Sequence, residues 1–273
     1  MLRPNEILID DSSPLAPLLS PVVDSRPKGR GHDPSQVIRG MYSPPSDLQL
    51  IPRSEWSDRI KEKIATKSQL SDIRLAGNHG QPIPSLDQGQ VGYCWAHSTT
   101  HTVIVQRAVA HEPYVPLSAY AIAATIKKGA DEGGWCGLSA QFAREKGIPS
   151  QALWPQGDRG YAKYQSNPAV WADAAERKIT EDYVDLARDV YDQNLTFDQV
   201  ATCLLLNIPC AVDFNWWSHS VCALDLVETS PGSFGLRIWN SWGDSWSDRG
   251  MGVLSGSKAI PDGALATRVT GAG

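Results

Sequence analysis

A cysteine set where a glycine-containing loop gives way to a helix restricts this chain more than any other feature. The segment runs Ser85-Leu86-Asp87-Gln88-Gly89-Gln90-Val91-Gly92-Tyr93-Cys94-Trp95-Ala96-His97-Ser98. From Cys94 to about Ala110 the pattern suits a helix that turns Trp95, Thr99, Val103 and Val109 inward. A thiol in the first turn of a helix faces unpaired backbone N–H groups and the positive end of the helix dipole. Both favour thiolate over thiol. The same N–H groups can hold the oxyanion that forms when a thiolate attacks a carbonyl, and Gln88, six residues upstream, offers a second donor.

Two later segments complete this chemistry. In Asn215-Trp216-Trp217-Ser218-His219-Ser220-Val221, His219 stands at the mouth of a strand-like run, where an imidazole can face a cleft. In Arg237-Ile238-Trp239-Asn240-Ser241-Trp242-Gly243-Asp244-Ser245-Trp246, Asn240 ends a strand. Its side chain can bond the second ring nitrogen of the histidine and fix the tautomer, while the indole of Trp242 keeps water away.

Together these segments resemble the papain-like cysteine proteases. Gln-Gly-x-x-Gly-x-Cys-Trp-Ala-x-Ser (residues 88–98) matches the family's nucleophile segment, and Asn-Ser-Trp-Gly-x-x-Trp (residues 240–246) its asparagine segment. The order Gln, Cys, His, Asn is also the family's. The resemblance covers about residues 82 to 256. It implies an α+β fold of two lobes, a helical one carrying Cys94 and a strand-rich one carrying His219 and Asn240, with the substrate cleft between them. It also implies a cysteine peptidase with Cys94 as nucleophile, His219 as base, Asn240 as orienter and Gln88 in the oxyanion hole. Trp242 would shield the histidine–asparagine bond. Gly133 and Gly134 match the glycine pair that binds the substrate backbone as a short antiparallel strand. No metal or organic cofactor is implied, and the substrate is a peptide or protein.

The departures carry information too. Where secreted members of the family have a disulfide, this chain has Val91 and Asp131. The interval between the strand-like Cys210–Phe214 and His219 is very short, where the family usually has an insertion that builds substrate pockets. An open or differently walled cleft follows. Residues 1–80 contain no recognisable counterpart of the family's inhibitory pro-segment.

Organisation along the chain points the same way. Helical patterns come first: one from Ser54, with Ser54 as cap, to Leu70; one opened by Leu117-Ser118 and stopped at Gly129; one after Gly137, ending at Gly147; and one from the capping box Thr196–Gln199 through Leu206. Strand-like runs follow at Cys210–Phe214, Ser220–Val227, Phe234–Asn240 and Met251–Leu254, with Pro231-Gly232 turning between two of them. Helices before strands indicate α+β. Residues 1–52 hold nine prolines and read as an extended arm with little structure of its own. Residues 53–81 read as a short helix and linker, and 82–273 as the protease domain.

Composition excludes several classes of function. The net charge of −5 gives no broad reason to bind nucleic acid. No apolar run reaches the roughly 20 residues that span a bilayer, and the N-terminus lacks the pattern of a secretory signal. Five cysteines without that signal favour a reducing compartment, cytoplasmic or inside a particle such as a virion. His97 and His101 share a helix face but lack the glutamate of a metalloprotease helix, and read as surface or partly buried residues. Trp216-Trp217 line a substrate groove or fill the core between lobes. Asp225 and Asp244 read as solvated charges. A competing reading makes the protein an assembly component that docks to a partner through residues 1–52, with catalysis secondary or lost.

Overall fold

Residues Cys94–Val105 are all buried, so the helix that contains them exists only where other elements wrap it on every side. The computed structural model, which describes residues 2–178, 182–187 and 192–267, supplies that wrapping. The helices are α1 (Ala16–Leu19), α2 (Arg53–Thr66), α3 (Leu70–Ala76), α4 (Cys94–Val109), α5 (Ala119–Ile126), α6 (Cys136–Glu145), α7 (Tyr161–Tyr164), α8 (Pro168–Ala175) and α9 (Gln193–Leu205). The strands are β1 (Ile7–Ile9), β2 (Val22–Val23), β3 (Arg26–Pro27), β4 (Tyr183–Asp185), β5 (Cys210–Phe214), β6 (His219–Ser230), β7 (Ser233–Trp239), β8 (Met251–Leu254) and β9 (Gly263–Thr267). Seven strands form one sheet in the order β1-β8-β7-β6-β5-β9-β4, and β2 and β3 pair as a small hairpin. The central helix α4 packs on α3, α5 and α6 and on β5 and β6. The fold is α+β, as the order of the patterns indicates.

Local chemistry explains most boundaries. Ser118 accepts a bond from the Ala121 amide and starts α5. After α6, Gly147 takes φ +80°, a conformation that stops a helix. Gly232, at φ +74°, turns β6 into β7. Two expected starts are corrected. Helix α2 begins at Arg53 with no side-chain cap, so Ser54 does not cap it. It ends where Lys67 turns left-handed, and Leu70–Ala76 is a separate helix. Helix α9 begins at Gln193, capped by Asp192, and Thr196 is buried within it.

The arm is part of this fold. Strand β1 pairs in parallel with β8, Ile7 opposite Gly252 and Ile9 opposite Leu254. Next to it the fully buried Glu6 carboxylate lies 2.5 Å from Arg237, whose guanidinium also holds Asp225 at 2.8 Å. Asp225 is therefore a buried ion-pair partner and not a solvated rim charge. Arg3 pairs with Asp72 at 2.6 Å. Farther along, Trp217 Nε1 donates to Leu18 O at 3.0 Å and Tyr42 Oη to Gly137 O at 2.7 Å. These contacts lay the arm on this chain's own body.

The two α4 histidines also differ from expectation. Both are fully buried. His97 Nδ1 sits 2.8 Å from Tyr93 O and its Nε2 2.6 Å from the Gln156 amide. The ring of His101 stacks on Trp239 at 3.7 Å, and its Nε2 accepts from the Leu86 amide. Burial disfavours the cation, lowering His97 to about 4 and His101 well below the usual histidine range.

Two outcomes follow. Unfolded histidines take up protons below about pH 6.5 while these two stay neutral, so acid favours the unfolded chain. Stability should be flat between about pH 7 and 8 and fall as pH drops from there toward 4. Urea midpoints at pH 7.5 and 5 check this, and equal midpoints would mean that water reaches both rings. Arg237→Met leaves two buried carboxylates without their cation and should cost about 3–5 kcal/mol in a denaturant titration.

Candidate active site

Cys94 opens α4 directly behind a loop that is held from outside. Gly89, at φ +60°, bends the loop. The Gly92 amide donates to Asp131 Oδ1 at 2.8 Å. This hydrogen bond joins the two stretches that a disulfide would tie if residues 91 and 131 were cysteines, and all five cysteines are free thiols. Trp95 follows, and its indole lies so close to Gly134 that a Cβ there would stand 2.6 Å from a ring atom. The glycine at 134 is thus imposed by the side chain next to the nucleophile.

His219 begins β6 after the short turn Asn215–Trp217, with Ser218 in the left-handed region at φ +47°. Its Nε2 lies 2.8 Å from Asn240 Oδ1. Trp242 stacks on the imidazole at 4.7 Å between ring centres, and Trp217 meets it edge-on at 4.9 Å. Trp217 is fully buried and Trp216 stacks on it, so the pair belongs to the core between lobes more than to a groove. The other histidine nitrogen, Nδ1, is buried with no hydrogen-bond partner. Burial raises Cys94 to about 11 and lowers His219 to about 3. With the site sealed in this way, the neutral thiol and neutral imidazole are the favoured forms.

Gln88 is fully buried. Its Oε1 accepts from Ser241 Oγ at 2.5 Å and its Nε2 donates to Val91 O at 2.7 Å, which fixes the amide's orientation. Ser241 was not singled out from the sequence, although its place beside Asn240 was a usable signal. Gly133 and Gly134 line the opposite wall. Among the described residues no group of three His, Cys, Asp or Glu side chains is placed to hold a metal ion, and no helix is long and apolar enough to cross a membrane.

The cleft between these residues is not open. Residues 28–33 lie in it. The Gly29 amide donates to Gly89 O at 2.8 Å, and Trp242 Nε1 donates to Gly29 O at 3.1 Å. Arg30 reaches Trp217 O at 2.6 Å, and the His32 amide reaches Ser218 O at 3.1 Å. Gly134 donates to Gly31 O and accepts from the Asp33 amide, each at 2.9 Å, so that His32 and Gly134 form a parallel bridge. A substrate aligned as the family resemblance implies runs antiparallel on this glycine, so the strap crosses in the reverse direction. Against the burial that raises the Cys94 thiol, the nearby backbone of Ser220 and of Gly31 acts to lower it. The Gly31 carbonyl is held by Gly134. The approach is backbone against backbone: a Cβ on Gly31 would stand 2.0 Å from Gly92 O, and one on Gly29 2.2 Å from Val91 O. The sequence reading found no occupant for this cleft among residues 1–80, and the glycine alternation at 29 and 31 was the available signal.

Comparison with known proteins agrees with the geometry. No family model matches the chain. The cysteine endopeptidase RepA of Oryza sativa subsp. japonica is 28% identical over 197 residues, which is 64% of this chain and 50% of that protein. The chain thus spans half the length of that relative. Zingipain-2 of Zingiber officinale is 25% identical over 68% of this chain and 87% of its own length. The crystal structure of xylellain, a cysteine protease from Xylella fastidiosa, superposes with a TM-score of 0.59 at 17% identity over 89% of this chain and 97% of that one. Digestive procathepsin L 3 of Tenebrio molitor larval midgut gives 0.56 at 18% identity over 89% and 76%. In motifs, fold and relatives the chain is similar to the papain-like cysteine proteases, and it differs from them in lacking the usual disulfide cysteines.

Proposed function

We propose that the chain is a cysteine peptidase acting through Cys94, His219 and Asn240, and that residues 28–33 hold it in a latent form. The observation that carries this reading is the histidine. One ring nitrogen of His219 is committed to Asn240 at 2.8 Å, while the other is buried and unpartnered. A buried polar atom left without a partner is costly and calls for a reason. A proton exchange with the thiol that opens α4 provides one.

The steps follow from the groups present. When the strap leaves, water reaches the site and the penalty on charged forms falls. His219 takes the Cys94 proton, and the thiolate gains from the helix dipole. The sulfur attacks a peptide carbonyl. The Cys94 N–H and the second hydrogen of the Gln88 amide, whose first is spent on Val91 O, receive the oxyanion. The imidazolium protonates the leaving amine, and water then hydrolyses the thioester. The strap runs on Gly134 in the reverse direction to a substrate aligned as the family resemblance implies, and its Gly31 carbonyl is held by the Gly134 amide at 2.9 Å. The assembly reading has no observation in its favour, since the described arm residues pack on their own chain.

In the intact protein Cys94 should react slowly with iodoacetamide or a peptidyl epoxide at neutral pH. Gly31→Ala forces the strap off Gly92 and should speed that reaction by about 100-fold or more, the ratio of thiolate expected between a pKa near 11 and an ordinary thiol. Unchanged kinetics would show that the strap is no barrier. In the Gly31→Ala protein, Gln88→Ala should lower peptide turnover about 10²–10³-fold, and His219→Ala should suppress labelling. If mass spectrometry of the Gly31→Ala protein finds Cys94 labelled no faster than the other four thiols, the peptidase reading fails.

A further inference from the structure

Beside the glycine pair the strap buries a side chain against a carboxylate that the reaction does not use. His32 is 6% exposed and Asp213 1% exposed. Asp213 lies on β5, opposite Ser220 on one side and Gly263 on the other. Its Oδ1 accepts from Ser220 Oγ and, at 3.0 Å, from Cys136 Sγ. His32 Nδ1 stands 3.4 Å from the same oxygen and is the one basic nitrogen in ion-pair range of Asp213 among the described residues. That Nδ1 is buried and makes no hydrogen bond, while Nε2 sits 2.8 Å from Asn215 Oδ1. The carboxylate therefore accepts from a hydroxyl and a thiol, has a misaligned imidazole beside it, and has no lysine or arginine in ion-pair range among the described residues. A buried carboxyl group so placed has room for a closer, charged donor.

Backbone geometry says what replaces His32 when the strap departs. In a parallel pair, Gly134 bonds the residues on either side of His32, as seen here; in an antiparallel pair it bonds both groups of a single residue. Either way, the residue opposite Gly134 is the one whose side chain enters this pocket. Cys94 lies next to Gly31, one residue from His32. In a chain running the other way, the position beside Cys94 belongs to the following residue, whose carbonyl is attacked. The pocket thus reads the residue just before the one that is cleaved. Gly263 keeps it open, since a Cβ there would come within 2.9 Å of Asp213 Oδ2.

We propose that Asp213 makes this pocket a receptor for a basic side chain, so that the peptidase selects arginine or lysine at the residue preceding the cleaved one, with His32 as the occupant built into the strap. The selection of substrates rests on the peptidase reading; the pocket's preference does not. A long cation gives the carboxylate the charge-assisted hydrogen bond that the imidazole of His32 does not reach.

Two measurements on the full-length chain test it. The first reads Cys94 alkylation and needs no catalysis. His32→Arg should hold the strap more tightly and slow alkylation about tenfold, and His32→Glu should speed it by at least as much. Both effects should vanish in an Asp213→Asn background and return with Asp213→Glu. Effects at residue 32 that are the same with Asp or Asn at 213 would overturn the proposal. The second uses the Gly31→Ala chain with fluorogenic peptides that differ only at the residue preceding the cleaved one. The kcat/KM ratio of arginine to leucine should favour arginine by at least about tenfold and collapse in Asp213→Asn, chiefly through KM. A preference for leucine, or a ratio that Asp213→Asn does not move, would also overturn it. Coupling in the first experiment with no peptide cleaved in the second would sustain the pocket and sink the peptidase reading instead.

Discussion

One guanidinium shared between two buried carboxylates governs how the rest of the chain is used. Arg237, in the middle of the sheet, ties Asp225 on the neighbouring strand to Glu6 at the start of the arm. Removing three charges from water is tolerable only because each neutralises another and the geometry is close. The interaction pins residues near the N-terminus to the sheet. With Tyr42 and Ile51 anchored at the far end, against Gly137 and Thr202, the intervening chain is held at both ends. The strap is therefore an intramolecular ligand, present at a high effective concentration whatever its intrinsic affinity for the cleft.

Occupancy of the cleft sets the electrostatics of the site. The groups that carry the chemistry are fully buried while the strap is in place, and burial acts on thiol and imidazole in opposite directions, each toward its neutral form. On the proposed peptidase reading, latency has two components. One is steric exclusion of substrate, and the other is suppression of the charged pair that would attack it. Both are lifted by the same displacement, so the chemistry and the access to it are coupled without any change in the positions of His219 and Asn240.

What the sequence disclosed and what it hid divide along the range of the interactions. The loop before Cys94, the helix behind it and the turn after Asn240 are contiguous stretches shaped by neighbours a few residues away, so the sequence could single out Gln88, His219, Asn240 and Trp242, residues of distant segments that the fold links through Ser241 and the His219 ring. Strands β5 and β8 were read to the residue because their apolar runs are bounded by polar or turn residues. The misreadings come from pairings distant in sequence. Asp225 looked like a surface charge because the groups that bury it with Arg237 come from far along the chain, Ser71 and, on the other side of the guanidinium, Glu6. Strand β1 is three residues long and has no periodicity to betray it. His97 and His101 looked polar, but an aromatic face and backbone groups from other elements enclose them. Residues 28–33 read as loop because their meaning lies in which backbone they touch, and glycine in a strap carries the same letter as glycine in a turn.

The parallel pairing of β1 with β8 has a further consequence for the life of the molecule. The segment before the strap is woven into the edge of the main sheet by three residues of ladder, a buried ion cluster and the Trp217–Leu18 contact. Scission of the backbone inside the cleft would relieve the blockade without releasing the amino-terminal piece. The product would be a nicked, two-chain protein in which the short chain remains a structural strand of the long one.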